Sequence, residues 1–401
     1  MTHDLNFWRN LALNKQGLDG RDAFGTGPDG VETAIKALGY IQIDTLNVIE
    51  RAHHHTLWNR VSDYKPDHLD QLLGQQKIFE HWHHALSYLP IDDYRFAIPF
   101  MERMRAGKTP YYKTRDTKLM TSLIERIKVN GPLRLRDFKE DKAHKQKKNA
   151  WNSRPVKRAL EVLFLQGDLM VARREKMERV YDLTENVLPS HISTRSPTEA
   201  EYADYLIKTT LHANGFASLD YILHGKSTAP LKKEVQRQLD EAVRAGEIEQ
   251  HDNIYALPNI LETSLQAKEG NIKILSPFDN AVINRDRAQN LFNFSYRLEC
   301  YTPQAKRQYG YFCLPILYEN QLVGRADCKA LRKEGVLNVL SIYFEKKITD
   351  PDSFFAALAE ELQRSAQFNQ CDTIQIEKAS PHKFKTVLKK ALKANLHKKS
   401  P

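Results

Sequence analysis

The sequence predicts an α+β protein, with three tandem winged-helix (helix-turn-helix) units followed by a C-terminal β-rich, barrel-like domain that ends in helices. Three observations predict it. A helix–glycine–strand step occurs three times between residues 31 and 262. Each step is followed by helical patterns and then by two strand-like runs that can pair as a hairpin. From about Lys273 the pattern changes to short strand-like runs. A chain of 401 residues can bury several cores, and the expected division is 1–115, 116–192, 193–264 and 265–401.

The steps read Leu38-Gly39-Tyr40-Ile41-Gln42-Ile43-Asp44, Asn130-Gly131-Pro132-Leu133-Arg134 and Asn214-Gly215-Phe216-Ala217-Ser218. Each glycine stands where a helix end needs a left-handed residue. In the first unit Lys77 to Trp82 and Ala85 to Leu89 are the expected wing strands. In the second, Val156, Ala159, Leu160, Leu163 and Phe164 repeat at helical spacing, and Arg179 to Leu183 returns as a wing strand around Arg173-Arg174-Glu175-Lys176. The third closes with Ala245 to Glu249 and Ile254 to Leu257. The last domain reads as strands at Ile274 to Phe278, Phe294 to Tyr301, Tyr311 to Tyr318, Leu322 to Cys328 and Leu337 to Phe344, with helices at Pro351 to Phe368 and His382 to Leu396.

Sixty basic against fifty acidic side chains give a formal charge of +10, which favours polyanionic partners. The absence of a long apolar run and of a signal-like start predicts a soluble, cytoplasmic chain, nucleoid-associated when on DNA, with no membrane partner. Cys300, Cys313, Cys328 and Cys371 form no Cys-x-x-Cys pair, so isolated thiols are expected, without a zinc site or iron–sulfur cluster.

Gln42 and Asp44 flank Ile43 on a two-residue period, so an extended strand places both side chains on one face while Ile41 and Ile43 face the core. The pair suits hydrolysis of a glycosidic bond. A carboxylate stabilises the developing oxocarbenium sugar and accepts a proton from attacking water, and a carboxamide holds that water without titrating. The structural alternative is that Asp44 caps a helix beginning at Thr45 and Gln42 faces solvent.

Seven of the fifteen histidines fall between 53 and 84, but no carboxylate or cysteine stands at ligand spacing, so phosphate or base contact by Arg51, His53, His54 and His84, together with ordinary structural use of the histidines, is expected before a metal site. Six lysines and two arginines between Lys139 and Arg158, among them Arg154, Lys157 and Arg158, precede and enter a helix suited to a major groove. The tail from His382 has seven lysines and no acid, and reads as a solvated helix or a backbone clamp.

Several stretches together resemble the YcaQ/AlkZ family of winged-helix DNA glycosylases between about Gly39 and Lys346. They are Ile41-Gln42-Ile43-Asp44-Thr45-Leu46-Asn47-Val48 on to His53, Phe79-Glu80-His81-Trp82 through Pro90, Val180 to Glu185, Leu275-Ser276-Pro277-Phe278-Asp279-Asn280, Tyr296 to Pro303, and Leu322 to Asp327. The resemblance implies a monofunctional, monomeric enzyme without cofactor or metal, acting on double-stranded DNA that carries N7-alkylated purines or interstrand crosslinks. It implies Gln42 and Asp44 as the catalytic pair, in the Gln-x-Asp form of the YcaQ branch, with Arg285 and Arg325 as DNA contacts. Ala85 and Ile283-Asn284 depart from residues frequent in relatives, which weakens any direct role for those neighbours. Two competing classes stay open: a non-enzymatic winged-helix transcriptional regulator, and a metal nuclease built on the histidines.

Overall fold

A computed structural model describes residues 4–20, 22–109, 115–138, 155–226 and 228–398. It is a mixed α and β structure whose contacts group into two compact units, Pro66–Tyr205 and Met1–Lys65 with Leu206–Pro401. This grouping follows contacts, whereas the four expected segments follow the repeating pattern.

In the unit Pro66–Tyr205, the strands Ile78–Trp82 and Leu86–Pro90 pair antiparallel with Glu80 opposite Tyr88. A second hairpin joins Leu169–Glu175 to Glu178–Leu183, which also pairs with Leu133–Arg134. The helix Pro155–Leu165 buries Ala159, Leu160, Leu163 and Phe164 as its spacing requires. Arg174, expected at a basic wing, is turned inward instead. Its Nη2 donates to Glu80 Oε2 at 2.8 Å, and Arg179 Nε donates to the same oxygen at 3.0 Å. The reason is electrostatic. Glu80 is fully buried, and the two guanidinium groups hold its carboxyl below the usual range against the opposing effect of burial.

In the other unit, the strand Phe216–Ala217 pairs with Ile254–Ala256, which pairs with Glu249–His251. The six-stranded sheet runs in the order Ile272–Ile274, Cys313–Tyr318, Gln321–Leu331, Val336–Phe344 and Thr373–Ile376, with Ala379–Ser380 also on Val336–Phe344. The first four strands are antiparallel and the last two run parallel to Val336–Phe344. The sheet is therefore open, and the barrel-like expectation is corrected. Phe354, Phe355 and Leu362 of the helix Pro351–Phe368, with Leu388 of the helix Lys383–Lys398, pack with Ile316 and Ile342 in one core cluster. Two predicted strands are also corrected: residues 294–301 are irregular, and the strand expected over 274–278 is instead Ile272–Ile274, which shares only Ile274 with it.

A second cluster joins Trp8 and Leu11 of the helix Leu5–Lys15 to Phe292, Phe294, Leu317 and Leu322. The same unit holds a buried ion pair. Arg60 and Asp279, both 0% exposed, form a bidentate pair at 2.8 Å through each nitrogen. The remaining donors of Arg60 reach Gln16 O at 2.6 Å and Thr56 O at 2.8 Å, so the cation is fully matched. Asp279 also starts the short helix Asn280–Ile283 by accepting Ala281 N at 3.0 Å. All four cysteines are free, and Cys313, Cys328 and Cys371 are buried.

Candidate active site

The site begins at a helix end. Gly39, at φ +77°, closes the helix Gly27–Leu38, and a Cβ there would stand 2.5 Å from Thr209 Cγ2. Glycine is therefore required both by backbone and by space. The chain leaves as the two-residue strand Ile41–Gln42, held from the side by Asn280 Nδ2 donating to Tyr40 O at 2.9 Å. The buried Asp279 ion pair thus fixes the segment that steers the strand.

Ile41 and Ile43 are buried, as their alternation predicts. Gln42 is only 8% exposed, so the alternative in which it faces solvent is corrected. No helix begins at Thr45. Residues 43–51 are non-helical and the next helix is Ala52–Trp58, so Asp44 is not a helix cap. Its Oδ1 accepts Leu46 N at 2.7 Å within the loop. That loop is pinned downstream by buried Ile49, by Ala330 N donating to Val48 O at 2.9 Å, and by Glu50 N donating to Asn369 Oδ1 at 2.6 Å.

Asp44 is half-buried. Burial pushes its carboxyl above the ordinary range, opposed only by the Leu46 N–H, and no cation offsets the charge among the described residues. The loop around Cys300 and Tyr301 lies within its electrostatic reach. The Cys300 thiol and the Tyr301 phenol are both raised, first by burial and in part by the Asp44 charge. Tyr301 belongs to a stretch that the sequence marks only by family resemblance. Its signal was hidden because that stretch reads as a strand, in which alternate side chains would be buried.

The other expected site residues divide by burial. His53 and His54 are buried in the helix Ala52–Trp58, and His54 Nδ1 lies 2.6 Å from Tyr64 Oη. Beside them His55 Nε2 contacts Ile274 O at 2.8 Å, and burial lowers its pKa to about 4. The histidine run is therefore core packing, and DNA contact by His53 and His54 is corrected. No group of three metal-ligating side chains occurs among the described residues.

Arg325 is corrected too. It is 2% exposed, donates to Glu345 Oε2 at 2.9 Å and Ser295 O at 2.8 Å, and sits 4.0 Å over the Tyr309 ring. Arg285 donates to Pro277 O and Val282 O, both at 2.8 Å, and lies 4.4 Å over the Tyr296 ring. It braces the chain around Asp279 instead of reaching outward. Arg51 is partly exposed beside Glu50, and His84 is half-buried at a hairpin bend with its Nδ1 3.3 Å from that of His83. Lys157 is exposed near Glu161, Arg158 is half-buried, and Arg154 lies outside the described residues.

A family model described as DNA glycosylase AlkZ-like matches residues 35–368, which is most of the chain and includes Gln42, Asp44 and Tyr301. The chain belongs to the AlkZ-like DNA glycosylase family. Among solved structures, the Streptomyces sahachiroi DNA glycosylase AlkZ matches with a TM-score of 0.60 at 12% identity, over 94% of this chain and 100% of that one. At that identity the likeness is one of fold. Family membership makes this chain a DNA glycosylase with DNA as its substrate. No helix among the described residues is long and apolar enough to cross a membrane.

Proposed function

We propose that this AlkZ-like glycosylase hydrolyses the N-glycosidic bond of N7-alkylated purines in duplex DNA, with Asp44 and Gln42 as the catalytic pair. The observation that carries the reading is Asp44 itself: a half-buried carboxylate held by one backbone N–H and matched by no cation among the described residues. Such a group favours a positive charge arriving beside it. In the reaction, water oxygen bonds to C1′ as the C1′–N9 bond breaks. The bonding pair moves to N9 and neutralises the charge of the alkylated ring, so the base leaves without a protein acid. Asp44 stabilises the sugar cation and takes the proton from water, while the Gln42 amide orients that water.

Tandem winged helices gripping phosphates through Arg51, His84, Lys157 and Arg158 would supply the affinity, with steep salt dependence. Arg154 belongs to the same proposal. A partly exposed carboxylate can act without full extrusion of the base, which admits a purine tethered to the opposite strand in an interstrand crosslink. The test is incubation of the purified chain with a duplex bearing 7-methylguanine. Free base, and strand breaks only after alkali, are the expected products. Sequence-selective binding without base release would favour the transcriptional regulator, and breaks without alkali would favour a nuclease.

A further inference from the structure

Tyr301 is 82% exposed, although a ring of that size ordinarily gains by burial. The loop that presents it is nevertheless tightly built. Thr302 N donates to Glu299 O at 2.9 Å, closing a turn around Cys300 and Tyr301. The Glu299 carboxylate accepts Gln308 N and Tyr309 N, both at 2.8 Å, and Arg307 Nε donates to Thr302 O at 2.9 Å. Farther along, Asp327 accepts Tyr311 N at 2.8 Å and Phe312 N at 3.0 Å. Gly310, at φ +153°, leaves room for it, since a Cβ would stand 2.1 Å from Asp327 Oδ2. A ring held out in water by a rigid turn is pre-organised for a ligand.

That turn and the Asp44 loop both pack on one core. Leu46 and Val48 from one loop, and Leu298 and Tyr311 from the other, lie against the same apolar cluster. The Asp44 carboxylate comes within electrostatic reach of Tyr301.

We propose that the exposed face of Tyr301 binds the cationic purine by cation–π contact and so selects charged over neutral bases at Asp44. The inference rests on the proposed N7-alkylpurine reading. Alkylation at N7 spreads positive charge over the purine, and the negative face of an aromatic ring senses that charge without hydrogen bonding to the base edge. Stacking on an undamaged neighbouring base would use the same ring but would not depend on lesion charge. The phenol, raised by the small share of its surface that is desolvated and by Cys300 and Asp44, stays neutral at working pH.

The test measures affinity of the full chain for two duplexes. One carries 7-methylguanine on 2′-fluoroarabinose, which is cationic and resists cleavage. The other carries its neutral isostere, 7-methyl-7-deazaguanine. The wild type is expected to bind the cationic duplex about 10-fold more tightly, Tyr301→Phe to keep that preference within about twofold, and Tyr301→Leu to reduce it below about threefold. A wild type without preference, or a Tyr301→Leu variant that retains it, overturns the inference. Release of 7-methylguanine from ordinary duplex reports separately on the proposed function, so either idea can fail without the other.

Discussion

Asp279 and Asp44 are acids of the same compact unit placed in opposite electrostatic settings. Asp279 is 0% exposed and meets Arg60 through two hydrogen bonds, so its charge is matched inside the protein. Asp44 is half-buried, takes one backbone N–H, and has no cation beside it among the described residues. A matched charge fastens a fold, because losing either partner strands the other. An unmatched one costs stability and keeps its field available for a substrate that brings the positive charge. Glu80, with Arg174 and Arg179, repeats the first arrangement in the other unit.

Four outcomes would break or sharpen this contrast. The largest is expected from Asp279→Ala, which leaves Arg60 buried and unpaired and should lower unfolding free energy by about 3–5 kcal/mol in denaturant titration. A loss below about 1 kcal/mol would show that the pair is not a fastener. Asp44→Asn should do the reverse. It keeps the acceptor for Leu46 N but removes the charge, so single-turnover base release should fall by about 100-fold or more while the melting temperature rises at neutral pH.

The sign follows from the raised carboxyl of Asp44. A raised acid favours the folded state below the unfolded carboxylate range, and that contribution is lost as pH rises through the folded value. The stability advantage of Asp44→Asn should therefore grow from acid to neutral pH, and thermal melts across that range check it. Wild-type rate should fall on the acid side at a pH above that of an ordinary aspartate. Next, Gln42→Ala should slow base release by about 10-fold, less than Asp44→Asn, because water still enters but is unoriented. The smallest effect is expected at Ser218, whose hydroxyl accepts Tyr221 N: Ser218→Ala should cost about 1 kcal/mol in the same titration and leave base release unchanged.

Ser218 also shows what was legible in the sequence. Counting from Gly39 and Gly215, Gln42 stands where Ser218 stands and Asp44 where Asp220 does. In the later step the serine caps the helix Leu219–Ile222 and the aspartate sits in its first turn. In the earlier step no helix follows, and the freed residues form the candidate site. The departure was readable because a glutamine is a poor cap and Ile41 and Ile43 mark the core face. The histidine run misled for the opposite reason. Three adjacent imidazoles suggest surface chemistry, yet contacts such as those with Tyr64 and Ile274 absorb them in the core.

The sequence alone determined the helices with strong apolar periodicity, the glycine-terminated steps and three strands of the later sheet. These depend on local spacing and backbone sterics, which neighbouring residues carry among themselves. Only the tertiary structure decided that the sheet stays open, that Arg174, Arg285 and Arg325 turn to partners inside the protein, and that the Tyr301 turn and the Asp44 loop pack on one core. Each of those depends on which charges and rings meet across long chain separations, and the free energy of a charge or a ring is set by what surrounds it.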